Sequence, residues 1–250
     1  MLKRLLLISI LISWFGSLSG QDKPVINTDR PSQAPSTGIL HPGRIQLESG
    51  ILYQSIPVAQ SFSFNSLWRL GLNEYFELRA FIDYRTLNLQ LDGGDTEESG
   101  WAPLQLGTKV KLTNANGWIP ETALIAMFVL PSGQGAFETN RVIPDIRVAF
   151  SNDLPGNFDL FYSLGIFWTP ESFTPIELYT LGTGFTISDR WWSFVEVYGF
   201  FRDFAYSPSI NAGFTYLAGN QVKIDLTGGV DLRDNGGGFL STGASFFLGR

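Results

Sequence analysis

The stretch INAGFTYLAGNQVKIDLTGGVDL, Ile210 to Leu232, decides the fold. Ile210, Ala212, Phe214 and Tyr216 fall at one parity, and Asn211, Gly213 and Thr215 at the other. Ala218-Gly219-Asn220 follows as a turn, where Gly and Asn accept positive φ. In the second arm Val222, Ile224, Leu226, Gly228 and Val230 alternate with Gln221, Lys223, Asp225, Thr227 and Asp231. Period-two alternation of this length predicts a hairpin with one apolar and one polar face.

The same unit recurs outward from it. Strands are expected over 44–53, 61–72, 75–88, 104–113, 118–130, 141–150, 158–168, 176–187 and 191–202, then the two arms of the hairpin, then 238–248. The stretch 118–130 is apolar at both parities, so its register is open. The connections alternate too. Tight turns are expected at 73–74, 114–117, 151–157, 188–190 and 218–220. The intervening connections are long at 90–100 and 131–140 and moderate at 169–175 and 203–207. Twelve strands, with short turns on one rim and longer loops on the other, is the pattern of an outer-membrane barrel. The expected fold is all-β: a single 12-stranded antiparallel up-and-down transmembrane β-barrel over 43–250.

Two segments precede it. Met1 to Gly20 has Lys3 and Arg4, then the apolar Leu5 to Phe15, then Ser17-Leu18-Ser19-Gly20. That is the layout of a secretory signal peptide. Residues 21–42 carry Pro24, Pro31, Pro35 and Pro42 and read as irregular. A periplasmic tail and a segment folded into the lumen are both open for them.

Composition narrows the function. Removing Lys3 and Arg4 leaves 15 of the 17 basic residues against 23 acids, a mature net charge of −8. Such a chain is a poor partner for nucleic acid. With 0 Cys there is no disulfide and no thiolate chemistry. The longest later apolar run, Ala123 to Leu130, is far short of the roughly 20 residues of a spanning helix. A membrane location therefore requires a closed barrel. Aromatics gather near strand ends, at Tyr53, Phe62, Tyr75, Phe76, Trp101, Trp118, Trp168, Trp191 and Trp192, as interfacial girdles do.

In a membrane barrel the apolar face meets lipid and the polar face lines the lumen. Alternation then assigns Arg44, Glu48, Arg69, Glu77, Arg79, Asp83, Arg85, Lys109, Arg147, Glu196, Lys223 and Asp225 to the lumen, with Lys111 and Asp145 beside them. Both signs are present. They suit a stiffening network of ion pairs or a charged constriction that selects solutes.

The ends of the barrel resemble a known family. Asn27-Thr28-Asp29-Arg30-Pro31 and Gly43-Arg44-Ile45-Gln46-Leu47-Glu48-Ser49-Gly50 resemble a D-R-P element leading into a G-x-x-Q-x-E-x-G strand. Ser193-Phe194-Val195-Glu196-Val197-Tyr198-Gly199 resembles an F-V-E-x-Y-G strand. Gly213-Phe214-Thr215-Tyr216-Leu217, Gln221-Val222-Lys223-Ile224-Asp225 and Gly243-Ala244-Ser245-Phe246 resemble closing strands. The family is that of the phenol-degradation meta-pathway (MetA-type) outer-membrane transporters. The resemblance implies an outer-membrane barrel with a transport role, and an aromatic or apolar solute by analogy alone. It brings no catalytic residues. The chain ends Phe247-Leu248-Gly249-Arg250, without the terminal aromatic of the usual assembly signal.

Little else is chemically equipped. His41 is the single histidine. It lies in the irregular segment, so Ser-His catalysis, and with it an integral-membrane hydrolase, has no support in the sequence. Asp92, Asp95, Glu97 and Glu98 match no defined calcium loop and read as a solvated loop. No enzyme activity, metal or cofactor is expected. The expected partners are outer-membrane lipid, a small-molecule solute and the outer-membrane assembly machinery. The leading expectation is a porin-like channel for passive passage. The rivals are a non-conducting barrel that binds through its extracellular loops and a soluble secreted barrel with a ligand inside.

Overall fold

The computed structural model describes residues 26–90, 94–170, 172–203, 205–234 and 236–248. The export signal expected over 1–20, Asp92 and the terminal Gly249-Arg250 lie outside the described residues. The strands are β1 Ile45–Ile56, β2 Ala59–Gly71, β3 Phe76–Leu89, β4 Thr96–Trp101, β5 Gln105–Thr113, β6 Glu121–Val129 and β7 Ile143–Leu154. They continue with β8 Phe158–Thr169, β9 Ser172–Ser188, β10 Trp191–Arg202, β11 Ala205–Leu217, β12 Val222–Asp231 and β13 Gly238–Leu248.

Neighbours pair antiparallel around a ring, and β13 returns to β1 from Ile45↔Leu248 to Ser55↔Gly238. Among the described residues the ring itself has no open edge, as hydrocarbon demands of every backbone N–H and C=O. The ring has twelve staves although the described residues form thirteen strand segments. β3 pairs along Phe76–Phe81 with β5 and along Tyr84–Leu89 with β4. Between them Ala102, Pro103 and Leu104 face only Ile82 and Asp83. Proline there supplies no N–H to the ladder, and Ala102 N–H bonds Asp83 O at 2.8 Å. β4 thus runs on beyond the ring along the line of β5.

Four expectations need correction, the last of them the place of Trp192 given below. Residues 96–100, read as loop from their charge, are strand: beyond the membrane a strand needs no apolar face, so polarity is no sign of irregularity there. Trp118 to Pro120 belong to the turn before β6, with Trp118 96% exposed. The connections expected at 169–175 and 203–207 are shorter than read, because β9 already begins at Ser172 and β11 at Ala205. The rim asymmetry therefore rests mainly on the stretches 90–104 and 130–142.

The faces are inverted relative to a soluble barrel. The largest fully buried side chains are led by Arg69, Lys109, Gln46, Glu48, Glu77 and Glu196. Ile51, Phe64, Trp68, Leu78, Leu164 and Ile224 are exposed on the outside. Burying ionic groups while exposing apolar ones is unfavourable in water and favourable only when lipid surrounds the wall. Outward aromatics band both ends. Trp191 packs on Tyr216 at 4.8 Å and Phe158 on Phe185 at 4.8 Å near the turn end. Tyr84 meets Trp101 at 5.3 Å and Phe201 meets Tyr206 at 4.7 Å near the loop end. Trp192, expected in a girdle, is instead inside, where its indole N–H bonds Asp159 Oδ1 at 2.9 Å. β6 resolves its open register with Ala123, Ile125 and Met127 inward.

Ring closure makes a prediction. Tyr53 and Leu240 are direct partners across the β1–β13 seam, about 4.5–5.5 Å apart at Cα, within disulfide reach. In this cysteine-free chain, Tyr53→Cys with Leu240→Cys is expected to cross-link on mild oxidation. Tyr53→Cys with Thr242→Cys, two residues off register, is expected to cross-link far less. Non-reducing electrophoresis reads both; equal yields would contradict the register.

Candidate functional site

The lumen is occupied by the chain itself. Residues 26–42 enter at the turn end, where Ile26 N–H bonds Asn220 O at 3.1 Å, and leave there into β1, where Arg44 N–H bonds His41 O at 3.1 Å. Ile26, Ala34 and Leu40 are all under 5% exposed. The segment has no regular structure, so its backbone groups need partners from the wall. Inward carboxylates provide them. Glu48 Oε2 accepts from the N–H groups of Asp29 at 3.0 Å and Arg30 at 3.1 Å. Glu77 Oε2 accepts from Leu40 N–H at 3.1 Å. Glu196 accepts from Gln33 and Ala34 N–H and from Asn211 Nδ2, the last at 2.9 Å.

Arg69 is the centre of this arrangement. It stands on β2, 1% exposed. Its Nε and NH2 bond the two oxygens of Glu77, each at 2.8 Å. Its NH1 bonds Glu48 Oε1 at 2.8 Å and Asn27 O at 3.0 Å, and NH2 also bonds Gly38 O at 3.0 Å. All five guanidinium donors are thereby used, on β1, on β3 and at both arms of the segment. Lys109 on β5 holds the middle, with Nζ 2.7 Å from Asp29 Oδ1 and 2.8 Å from Ser36 O. Arg79 pairs with the other oxygen of Asp29. Burial would raise the Asp29 carboxyl, but Arg79, Lys109 and Arg69 outweigh it and hold the group well below its ordinary value of 3.8. The Asp29 contribution to docking is therefore complete above that ordinary value. It is lost only as pH falls through the lowered one.

Arg30 anchors the tip. Its Nε and NH2 bond the two oxygens of Asp225 at 3.1 and 2.9 Å, and NH2 reaches Ser241 Oγ at 3.0 Å. The guanidinium lies flat on Gly50 and Gly243, which face each other across the β1–β13 seam. A Cβ at Gly50 would overlap the guanidinium carbon and both terminal nitrogens.

The other predicted residues form smaller pairs. Asp83 pairs with Arg85, Lys111 with Glu121 at 2.7 Å, and Arg147 with Asp145 at 2.8 Å. Arg44 lies 5.1 Å over the Phe247 ring at the turn-end rim. Lys223 Nζ lies 5.9 Å from the Trp192 ring. Sequence reasoning missed the clasped residues Asp29 and Arg30, and Gln46, whose Nε2 bonds Asn27 O at 2.7 Å. Gln46 shares the parity of Arg44 and Glu48, which was the available signal.

It also missed an aromatic ladder on the inner wall. On β10, Trp192, Phe194, Glu196, Tyr198 and Phe200 share the inward parity. Trp192 stacks on Phe194 at 5.3 Å, and Phe161 of β8 lies 6.1 Å from each. Toward the loop end Phe200 is 6.0 Å from Tyr198 and 6.0 Å from Phe167. The ladder breaks once, at Glu196, where Gln33 and Ala34 of the segment sit. A cavity of about 570 Å³ opens at its turn end, lined by Phe161 and Trp192. Another of about 510 Å³ opens at its loop end, lined by Phe167 and Phe200.

Replacing Gly50 by Ala is expected to lift Arg30 off Asp225, costing about 1–3 kcal/mol of docking. Proteinase K should then cut within 26–42 at least about tenfold faster, while the barrel stays heat-modifiable in electrophoresis. Unchanged cutting would contradict the clasp.

Comparison with known proteins places this geometry. An outer-membrane channel from Pseudomonas putida F1 aligns with 87% of this chain and 100% of its own at a TM-score of 0.70 and 12% identity. The KdgM porin in complex with disordered oligogalacturonate aligns with 82% of this chain and 99% of its own, TM-score 0.58 and 9% identity. The translocator domain of the autotransporter NalP from Neisseria meningitidis aligns with 84% of this chain and 89% of its own, TM-score 0.55 and 12% identity. At these identities the likeness is one of fold. No curated protein matches the sequence. The model of one family, described as "Putative MetA-pathway of phenol degradation", matches residues 28–247, and the chain belongs to that family.

Proposed function

We propose that the protein is an outer-membrane channel for passive movement of a small aromatic or apolar solute, with residues 26–42 as a plug seated in the lumen. The turn end, where Ile26 enters the lumen and β13 ends at Leu248, faces the periplasm, as in bacterial barrels generally. The observation that carries the reading is the aromatic ladder, joined to a cavity at each end and interrupted only where the plug meets Glu196. Aromatic faces offer weak, repeated contacts, each worth about 0.5–1.5 kcal/mol. Contacts of that size let a solute bind and leave in steps, as conduction requires. The inward ions Arg44, Glu48, Arg69, Glu77, Arg79, Asp83, Arg85, Lys109, Arg147, Glu196, Lys223 and Asp225 then serve two purposes. Most clasp the plug or pair with each other, and Glu196 stands at the gap in the path. Passage along the ladder needs the Gln33-Ala34 tip to shift, because it sits on Glu196 at the break between the ladder's two halves. The family membership, the match to an outer-membrane channel and the porin-like fold support the reading. No nucleotide or cofactor takes part.

The filled centre also favours a second reading, a barrel that stays closed and binds through its loops. Planar-bilayer recording separates the two. Deleting 26–42 is expected to raise single-channel conductance several-fold over the wild type, because it empties the narrowest section. A deletion variant that is folded and silent would rule out the channel. Flux of a small aromatic solute into liposomes is expected to fall up to about tenfold in Phe194→Ala, the equivalent of one lost aromatic contact. Ion conductance should change little in the same variant. Equal losses in both would argue against the ladder as the solute path.

A further inference from the structure

On the opposite wall from the ladder, toward the loop end, lies a cavity of about 320 Å³ bounded by the plug tip and by β2, β3, β5, β6 and β7. Arg79 lines it and is 7% exposed. Its NH2 is engaged by Asp29, but among the described residues Nε and NH1 have no hydrogen-bond acceptor. Glu77 Oε1, 3.9 Å from Nε, is too far to serve. The acids are unevenly shared. Glu48 and Glu77 both close on Arg69, while Arg79 and Lys109 divide Asp29 between them. Buried guanidinium donors with no acceptor are uncommon and call for a partner.

The rest of the cavity describes that partner. Leu67, Phe81, Ile125 and Met127 line it beside Arg79, and so do Gln105 and Asp145, whose charge is matched by its partner Arg147. Ile125 and Met127 are 4% and 8% exposed. They belong to the inner face of β6, which is apolar where the inner faces of the nearby β3 and β5 carry Glu77, Arg79 and Lys109. An apolar wall next to a cation with free N–H groups suits a molecule with a compact apolar body and one anionic oxygen group. We propose that this cavity is a binding site for a small amphipathic monocarboxylate. Its carboxylate accepts from Arg79, and its body lies against Phe81, Ile125 and Met127. The site stands in the loop-side vestibule of the lumen and, as a solute site, rests on the channel reading.

The test is calorimetric titration of the folded protein in detergent with benzoate, acetate and benzyl alcohol. Benzoate should bind at one site. Acetate lacks the body and benzyl alcohol lacks the charge, so each should bind at least about tenfold more weakly. Arg79→Lys keeps a cation against Asp29 but loses the free guanidinium donors, and should weaken benzoate about tenfold. Met127→Gln lies outside the plug clasp. It should weaken benzoate while leaving acetate unchanged. No benzoate binding, or benzoate binding equal in wild type and both folded variants, would overturn the site and leave water as the occupant of those donors. Bilayer recording of the same preparation separates this from the channel reading. Conduction without benzoate binding removes the site alone. Binding without conduction removes the channel and leaves the site.

Discussion

A guanidinium that spends all five N–H groups on fixed acceptors cannot move alone. Arg69 is in that position, tied to Glu48 on β1, to Glu77 on β3, and to the carbonyls of Asn27 and Gly38. Removing the segment from the lumen would strand two of those donors and leave Lys109 and Asp225 without their ionic partners. In a site shielded from water, breaking such pairs costs several kcal/mol. The N-terminal segment and the barrel wall are therefore one folded unit. The wall supplies the charges, and the segment supplies the carbonyls, the amides and two counter-ions.

The rest of the molecule accommodates this. Charges can crowd the interior only because the wall is closed and the outside is apolar. Gly50 and Gly243 lie opposite each other at the seam because a guanidinium must lie over them. The clasp occupies the middle of the lumen and leaves open space at its sides. One side carries the aromatic ladder and the other the apolar patch of β6 under Arg79. The lumen is thus a shaped passage whose bottleneck is a stretch of the chain.

Much of this was legible in the sequence, for a simple reason. In a barrel each residue's face is fixed by parity, so Ile210, Asn211, Ile224 and Asp225 could be sorted one by one. Twelve staves and the inward position of the ionic residues follow from that. The location of residues 26–42 does not. They have no periodicity, and their partners stand up to 211 positions away, as Ser241 does from Arg30. Trp192 went astray because an aromatic near a strand end suits a girdle as well as a lumen. Only its shared parity with Glu196 separates the two. β4 was hidden for the opposite reason: outside the membrane a strand may be polar at every position, so Thr96 to Gly100 carry no alternation to read.

The central claim is that wall carboxylates hold the segment inside the closed barrel, and amide exchange tests it most directly. The N–H groups of Asp29, Arg30, Gln33, Ala34 and Leu40 donate to Glu48, Glu196 and Glu77. Hydrogen–deuterium exchange of the protein in lipid nanodiscs should find these amides protected to a degree comparable with the strands, despite their irregular backbone. Exchange at the rate of a free chain would mean that the lumen stands empty and that the clasp does not form.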